Sequence, residues 1–275
     1  MNSGGVWWVR GAALAFIGLV AGLVGLVGVL GYVARDLPSP DRVVRREGFS
    51  TKIYDRNGQL LYDVFADQRR TPVGLDEVPS VLQRATIAIE DKNFYKHQGF
   101  DPLGIARAVV RTVVYRRLEG GSTLTQQLVK NALLTSSRTL SRKVKEFILS
   151  LQVESKYSKD QILQMYLNEA PYGGTAWGVE AASEMYFGKK VSEINLAEAA
   201  ILAGLPQSPS KYSPLEGRLY VGRAQEVLRR MREDGYITVE EEKGAREEVE
   251  RVAIASQSGV LKAPHFVFYV KQRLI

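Results

Sequence analysis

The order of hydrophobic and polar positions divides the chain into one long apolar stretch and a longer amphipathic part. Residues 11–34 carry no charge and consist mostly of Val, Leu, Ala and Gly. About 20 such residues suffice for a helix to cross a bilayer. We therefore predict a short tail at 1–10, a transmembrane helix at 11–34 and a linker rich in proline and charge at 35–48. Arginines lie on both sides of the apolar stretch, so the positive-inside rule does not favour placing the longer part outside.

Alternation with a period of two predicts a β-hairpin after residue 50, because apolar and polar residues alternate around Asn57-Gly58, a pair that suits a type I′ turn. From Ser80 the apolar positions recur at helical spacing, and this first helix is predicted to continue to about Gly99. The further predicted helices span 101–119, 123–132, 139–155, 159–168, 177–187, 195–204, 217–234 and 239–249. Capping boxes mark four of their starts: Thr123 with Gln126, Ser158 with Gln161, Asn195 with Glu198 and Thr238 with Glu241. The chain after the linker is therefore predicted to be mostly α with a small β element.

Charge and composition narrow the classes of function. The formal net charge of +7 suits a partner rich in phosphate, such as anionic lipid, a phosphorylated substrate or nucleic acid. Nucleic acid fits poorly, because no basic strand rich in aromatic residues accompanies the positive charge. The chain has no cysteine and only two histidines, far apart in sequence, which leaves a zinc hydrolase almost no ligands. The helix at 101–119 interleaves apolar residues with arginines, which suits equally an interfacial amphipathic helix and a core helix with a solvated basic face.

The first stretch that could carry chemistry is IAIEDKNFYKHQGF, residues 87–100. It contains two adjacent carboxylates, Glu90 and Asp91. Glu90 directly follows Ala88 and Ile89, near the buried side of its helix, and a carboxyl group partly withdrawn from water can act as a general base or acid near neutrality. The alternative is a surface pair in the last turn of a helix, and this stretch alone does not decide between them.

Two more stretches contain more polar side chains than a helical fold requires for its stability. In EGGSTLTQQLVKN, residues 119–131, hydroxyl and amide side chains crowd a helix start, where backbone N–H groups bind anions. The capping box accounts for Thr123 and Gln126 but not for Gln127 and Lys130. In residues 136–155, a dense positive patch surrounds one carboxylate, Glu146, and suits a leaving diphosphate. Its alternative is a solvated charged face with an ordinary i,i+4 ion pair.

Together these stretches resemble the peptidoglycan glycosyltransferases of glycosyltransferase family 51. The family motif Glu-Asp-x-x-Phe-x-x-His-x-Gly is matched by Glu90, Asp91, Phe94, His97 and Gly99. The motif Gly-x-Ser-Thr-x-Thr-Gln-Gln, followed by Lys-Asn, is matched by Gly120, Ser122, Thr123, Thr125, Gln126, Gln127, Lys130 and Asn131. The motif Arg-Lys-x-x-Glu is matched by Arg142, Lys143 and Glu146. The segments ILQMYLNEAPYG and AEAAILAGLPQSPSKYSP also resemble family segments, and the resemblance extends over residues 49–275.

The resemblance implies a lysozyme-like, two-lobed fold for a glycosyltransferase domain at 49–250. Residues 251–275 resemble the segment that leads into the transpeptidase domain of class A penicillin-binding proteins. The implied activity is polymerisation of lipid II into β-1,4 glycan strands with inversion, release of undecaprenyl diphosphate and inhibition by moenomycin. The implied location is the bacterial cytoplasmic membrane, crossed once, with an extracytoplasmic catalytic domain and a short cytoplasmic tail at 1–10. Implied partners are lipid II, the growing glycan strand, the bilayer and cell-wall synthesis proteins, but no nucleic acid.

The resemblance also assigns roles to residues. Glu90 and Glu146 are the catalytic candidates: Glu90 is the general base, and Glu146 orients the cations around it or helps to hold a divalent metal, Mg²⁺ or Mn²⁺. Lys130 and Arg138 neutralise the leaving diphosphate. The full set of predicted substrate-binding residues is Asp91, Phe94, His97, Ser122, Thr123, Gln126, Gln127, Lys130, Arg138, Arg142 and Lys143. An alternative role for Asp91 is structural, holding the loop through Phe94 and His97.

Two other classes of protein remain to be weighed. A membrane-anchored, lysozyme-like glycoside hydrolase would use carboxylates and water, and it would not need the cations around Glu146 because no diphosphate leaves. A non-catalytic binding module on a membrane stalk would need neither Glu90 nor Glu146. The presence of both acids and of the cations favours the transferase.

Overall fold

The structure of the chain, a computed structural model, describes residues 37–44, 51–58, 60–64, 68–102, 121–134 and 139–255. It also describes isolated positions between 13 and 35, position 104, and isolated positions between 266 and 270. Most of the predicted helix at 101–119, of the predicted transmembrane helix at 11–34 and of the segment at 251–275 lies outside these residues, and these three calls stay predictions.

Helices dominate the described part of the chain, as the periodicity predicts. They are α1 (Ser80–Glu90), α2 (Leu124–Leu133), α3 (Leu140–Lys156), α4 (Lys159–Glu169), α5 (Val179–Phe187), α6 (Leu196–Gly204), α7 (Pro209–Tyr212), α8 (Leu219–Glu233) and α9 (Val239–Arg251). In the described part of the chain, no helix is both long enough and apolar enough to span a bilayer.

The four predicted capping boxes are confirmed, at the starts of α2, α4, α6 and α9. In each, the side chain of the cap residue accepts a backbone N–H three residues later, and the residue at that position accepts the N–H of the cap residue in return. These bonds satisfy backbone donors that have no partner within the helix. Local side-chain chemistry therefore sets where these helices begin.

The predicted hairpin is also confirmed. Strand β1 (Thr51–Tyr54) pairs antiparallel with β2 (Leu60–Val64), with Thr51 opposite Val64. Gly58 in the connecting turn has a φ of 78°, a left-handed conformation that glycine adopts without the steric cost of a side chain.

A second, three-stranded sheet was not predicted from the sequence. Its strands are β3 (Arg69–Arg70), β4 (Pro171–Gly173) and β5 (Ala176–Trp177), in the order β3-β5-β4, with β3 parallel to β5 and β4 antiparallel to it. Trp177, predicted to open a helix, instead lies in β5, and α5 begins at Val179.

The prediction that the first helix continues to about Gly99 was wrong, because α1 ends at Glu90. Asp91 has a φ of −157° and leaves the helical conformation, and a short 3₁₀ turn follows at Phe94–Lys96. Gly99 then has a φ of 78°, and a Cβ atom there would lie 2.9 Å from the carbonyl oxygen of Ser150 on α3. The stretch after Glu90 is thus a tight loop pressed against α3.

Packing brings the ends of α1 and α2 together. Helix α8 packs against α6, α1 and α9, and α1 also packs against α6, while α2 packs against α3 and α4. Part of the predicted linker joins this core, because the 3₁₀ turn Pro40–Val43 packs on α2 and buries Val43. The C-terminal end of α1 therefore meets α2 and α8, and Glu90 lies at that junction.

Candidate active site

Glu90 is the last residue of α1, and its side chain is 9% exposed. Gln127, in the first half of α2, donates from Nε2 to Glu90 Oε2 at 2.7 Å. The other oxygen, Oε1, is buried and accepts no hydrogen bond among the described residues. A carboxylate anchored through one oxygen keeps lone pairs on the other, which suits proton transfer to Glu90.

Asp91, next in sequence, has a different environment. Both of its carboxylate oxygens lie 2.9 Å from His97 Nε2, and Oδ2 also accepts the backbone N–H of Leu124, the first residue of α2, at 3.0 Å. A carboxylate at a helix N-terminus is favoured by the exposed N–H groups and by the helix dipole. Asp91 therefore ties the loop after α1 to the start of α2, in line with its alternative, structural role.

Several predicted substrate-binding residues have structural contacts here. Phe94 is 0% exposed and packs edge-on against His97, with their ring centroids 6.4 Å apart. Thr123 donates to the carbonyl oxygen of Gly99 at 2.9 Å and forms the capping box of α2 with Gln126. Phe94, Thr123 and Gln126 are all buried, so the structure presents almost no surface of these residues to a ligand. Direct substrate contact by these residues stays a prediction.

A second carboxylate, Glu146, lies on α3 and is only 2% exposed. Lys143 donates to Glu146 Oε2 at 2.7 Å and to Ser122 Oγ at 2.9 Å, so it joins α3 to the segment before α2. Arg142 Nε lies 3.2 Å from Glu146 Oε1, a close ion pair in which neither atom forms a hydrogen bond among the described residues. This arrangement matches the predicted cation cluster.

Lys130 connects the two carboxylates electrostatically. Burial lowers the pKa of the Lys130 ammonium, whereas the carboxylates of Glu146 and Glu90 act to raise it. Within the described ranges, neither carboxylate forms a close ion pair with this ammonium. Lys130 is therefore a half-buried cation within electrostatic range of both acids and available to an anionic ligand.

The site also contains residues that sequence reasoning missed. Arg223 of α8 places Nη2 3.6 Å from Glu90 Oε1. The hydroxyl groups of Tyr166 and Tyr172 are buried without hydrogen-bond partners among the described residues, and the charge of Glu90 acts on both. No pattern singled out Arg223, and Tyr166 and Tyr172 lie in the segment ILQMYLNEAPYG, which resembles the family but gave neither tyrosine a role. The contacts of all three residues join segments far apart in sequence. Arg138, by contrast, was predicted for the site but lies outside the described residues.

The described donor set is a poor match for a metal held by protein alone. Glu146 is a single carboxylate flanked by two cations, and nowhere in the described ranges do three His, Asp or Glu side chains gather as a metal would require. The same cations suit an anionic ligand with several oxygens, such as a phosphate group. The arrangement can thus remove a proton at Glu90 and stabilise negative charge beside Lys130 and Glu146.

Comparison with known proteins shows what this chain is similar to. The family model described as transglycosylase matches residues 57–232. Penicillin-binding protein 1A of Rickettsia bellii is 40% identical over 253 residues, which is 90% of this chain and 32% of that protein. Penicillin-binding protein 1A of Aquifex aeolicus is 42% identical over 232 residues, which is 83% of this chain and 32% of the relative. A crystal structure of penicillin-binding protein 1A from Haemophilus influenzae aligns over 82% of this chain and 24% of its own, with 25% identity and a TM-score of 0.45.

The family match over residues 57–232 covers more than half of the chain, so the chain belongs to the transglycosylase family. The chain spans about a third of the length of the curated relatives it matches.

Proposed function

We propose that this chain is a peptidoglycan glycosyltransferase that polymerises lipid II into β-1,4-linked glycan strands. The observation that carries the proposal is the pairing of a buried carboxylate, Glu90, with a separate carboxylate framed by cations, Glu146, with Lys130 in electrostatic range of both. The family match over residues 57–232 supports the same activity.

In the proposed reaction Glu90 is the general base. It takes the proton from the 4-hydroxyl group of the acceptor sugar as that oxygen attacks C1 of the donor sugar from the face opposite the diphosphate. The bond between C1 and the diphosphate oxygen breaks, its electron pair leaves with undecaprenyl diphosphate, and the configuration at C1 is inverted. General base catalysis of this kind contributes typically about 10²- to 10⁴-fold in rate.

The charge that develops on the leaving diphosphate requires preorganised cations. Lys130, Arg142 and Lys143 supply them, and Arg138 is proposed to join them. Glu146 holds Arg142 and Lys143 in place, so its role is to orient cations. A divalent metal at Glu146 stays a prediction, and no step here depends on it. Ser122, which accepts a hydrogen bond from Lys143, is proposed to contact substrate oxygens.

We further propose that residues 11–34 anchor the protein in the bacterial cytoplasmic membrane, with the catalytic domain outside the cytoplasm. The substrate carries a polyprenyl chain and is held in the bilayer, so an anchored enzyme would meet it at the membrane surface. The growing glycan strand and other cell-wall synthesis proteins are the proposed partners.

The test is the variant Glu90→Gln, assayed with labelled lipid II in detergent. Because the amide cannot accept the proton, we expect the polymerisation rate to fall by about 10²- to 10⁴-fold while lipid II still binds with similar affinity. Glu240→Gln, an exposed position on α9, is the matched control and should retain full activity. A Glu90→Gln enzyme that polymerises within threefold of the wild type would refute the assignment.

The competing function, a lysozyme-like glycoside hydrolase, is separated by a second measurement. Isolated glycan strands are incubated with the wild-type protein, and their length distribution is followed. We expect no shortening, together with release of undecaprenyl diphosphate when lipid II is supplied. Shortened strands without diphosphate release would support the hydrolase instead.

A further inference from the structure

Arg223 of α8 forms a buried ion pair with Glu90. Its Nη2 lies 3.6 Å from Glu90 Oε1, which is within ion-pair distance but too long for a hydrogen bond. The two side chains are 11% and 9% exposed, so solvent screens their attraction only weakly. This pair is therefore part of the buried environment of Glu90.

The surrounding structure holds Arg223 in this position. Nε donates to the carbonyl oxygen of Gly204, at the end of α6, at 3.3 Å, and the guanidinium lies 6.0 Å from the ring centroid of Tyr212. A Cβ atom at position 204 would lie only 2.8 Å from Arg223 Cγ, so glycine leaves the space that the arginine stem occupies. Burial lowers the pKa of Arg223, and the negative charge of Glu90 opposes that shift.

The distance of 3.6 Å between Arg223 Nη2 and Glu90 Oε1 suits the proposed role of Glu90 as a general base. A carboxylate with strong hydrogen bonds at both oxygens has few lone pairs left for a proton. Glu90 Oε2 accepts a hydrogen bond from Gln127, whereas no residue that the structure describes donates a hydrogen bond to Oε1. At 3.6 Å, Arg223 stabilises the negative charge of Glu90 and leaves the lone pairs of Oε1 available.

We propose that Arg223 is a positioning residue that holds Glu90 aligned for proton transfer through their buried ion pair. The inference rests on the proposed role of Glu90 as general base, and it adds a residue from α8 to the three stretches that the sequence pointed to. Removal of the charge at position 223 takes away the cation that faces Glu90 Oε1, so we expect activity to fall mainly at low pH.

Other groups also act on Glu90, and the test must take them into account. Lys130 on α2, Tyr166 on α4 and Tyr172 in β4 interact electrostatically with Glu90. Arg230 on α8 donates to the carbonyl oxygen of Ile89, the residue before Glu90, and Asp91, the residue after Glu90, pairs with His97. Burial and the charge of Glu90 raise the pKa of both tyrosines, so they stay neutral over the range of the assay. From helix α6, the carbonyl oxygen of Gly204 accepts a hydrogen bond from Arg223.

The experiment compares Arg223→Met, which removes the charge, with Arg223→Lys, which keeps it. Initial rates of lipid II polymerisation are measured from pH 5 to pH 9, and kcat and KM are determined separately. A positive charge at this distance lowers the pKa of a carboxyl group, in general, by about 1 to 3. We expect the acid limb of the Arg223→Met profile to move up by about 1 to 2 pH units, with KM within threefold of the wild type. Arg223→Lys should restore most of the limb.

Arg229→Met is the matched control, since Arg229 lies on the same helix and pairs with Glu226 and Glu233 instead of Glu90. Its profile should match the wild type. A merely structural role for Arg223 would lower the rate equally at every pH, or would not be rescued by lysine, and either result overturns the inference. An unshifted acid limb in Arg223→Met also overturns it.

If Arg223→Met does not fold, Gly204→Ala provides the alternative perturbation, because the new methyl group displaces the stem of Arg223 without removing its charge. The acid limb of the pH–rate profile should then move to higher pH by a smaller amount than in Arg223→Met. An acid limb that does not move in a folded Gly204→Ala protein overturns the inference. Failure of the proposed function is distinguishable, because it would appear as activity retained in Glu90→Gln whatever the position-223 variants do.

Discussion

Replacement of Asp91 by asparagine tests whether the second carboxylate of the Glu90-Asp91 pair acts in the fold or on the substrate. Asp91 is 7% exposed, and its oxygens accept from His97 Nε2 and from the backbone N–H of Leu124. The side chain thus fixes the loop after α1 to the N-terminus of α2. The amide introduced by Asp91→Asn would keep one acceptor oxygen and lose the charge.

The expected cost follows from these bonds. A hydrogen bond to a charged group is worth about 1.5 to 3 kcal/mol, and a carboxylate near a helix N-terminus adds about 0.3 to 1 kcal/mol. With one acceptor lost and the charge removed, we expect the free energy of unfolding to fall by about 3 kcal/mol. In a domain of about 200 residues, this corresponds to a fall in melting temperature of about 6 to 12 °C.

The assay is thermal unfolding of the detergent-solubilised protein, with lipid II binding measured well below the melting temperature. Asp160→Asn is the matched control, because Asp160 is exposed and accepts one bond from Tyr95 at 2.9 Å. That change should cost less than about 1 kcal/mol. If Asp91→Asn melts within 2 °C of the wild type yet no longer binds lipid II, Asp91 contacts the substrate and the structural assignment is refuted.

Two further predictions concern charge. Lys130→Met removes a half-buried cation near Glu146, so we expect lipid II to bind about tenfold to a hundredfold more weakly. The measurement is equilibrium binding of lipid II to the variant and to the wild type. An unchanged affinity would exclude Lys130 from the proposed diphosphate site. Hydrogen bonds from Arg229, together with those from Arg230, lower the pKa of Glu226 to about 2, so the stability that it contributes is present above about pH 4.5 and is lost as the pH falls towards 2. Because Glu226 is partly exposed, Glu226→Gln should cost about 1 kcal/mol at pH 7 and nothing near pH 2 in urea unfolding; a cost independent of pH would contradict this.

Short-range patterns predicted most of the helical framework. The starts of α2, α4, α6 and α9 follow from hydrogen bonds between residues three apart in sequence. A short stretch of sequence is therefore enough to predict where each of these helices begins. The three-stranded sheet could not be found this way, because β3 and β5 have two residues each and pair across a long separation in sequence. Strands this short show no alternation, and only tertiary packing specifies them.

The residues of the candidate site also differ in whether a local stretch of sequence could identify them. Glu90 and Glu146 could be singled out because each stands in a distinctive local stretch. Arg223 could not, because α8 contains three other arginines, Arg229, Arg230 and Arg232, Arg218 directly precedes the helix, and nothing in their spacing says which one is buried. Burial of Arg223 depends on Gly204 and Tyr212, which belong to other helices.

Helix α2 explains how the two carboxylates can serve one reaction. Gln127 bonds to Glu90, and Lys130, three residues later on the same face, lies in electrostatic range of both Glu90 and Glu146. The distance between Glu90, the proposed base, and Lys130, one of the proposed diphosphate-binding cations, therefore depends on the position of this helix. Asp91 accepts the backbone N–H of Leu124, the first residue of α2. Loss of this hydrogen bond would therefore move Gln127 and Lys130 together. A change at Asp91 should accordingly disturb proton removal and diphosphate stabilisation at once, although it touches neither reacting group.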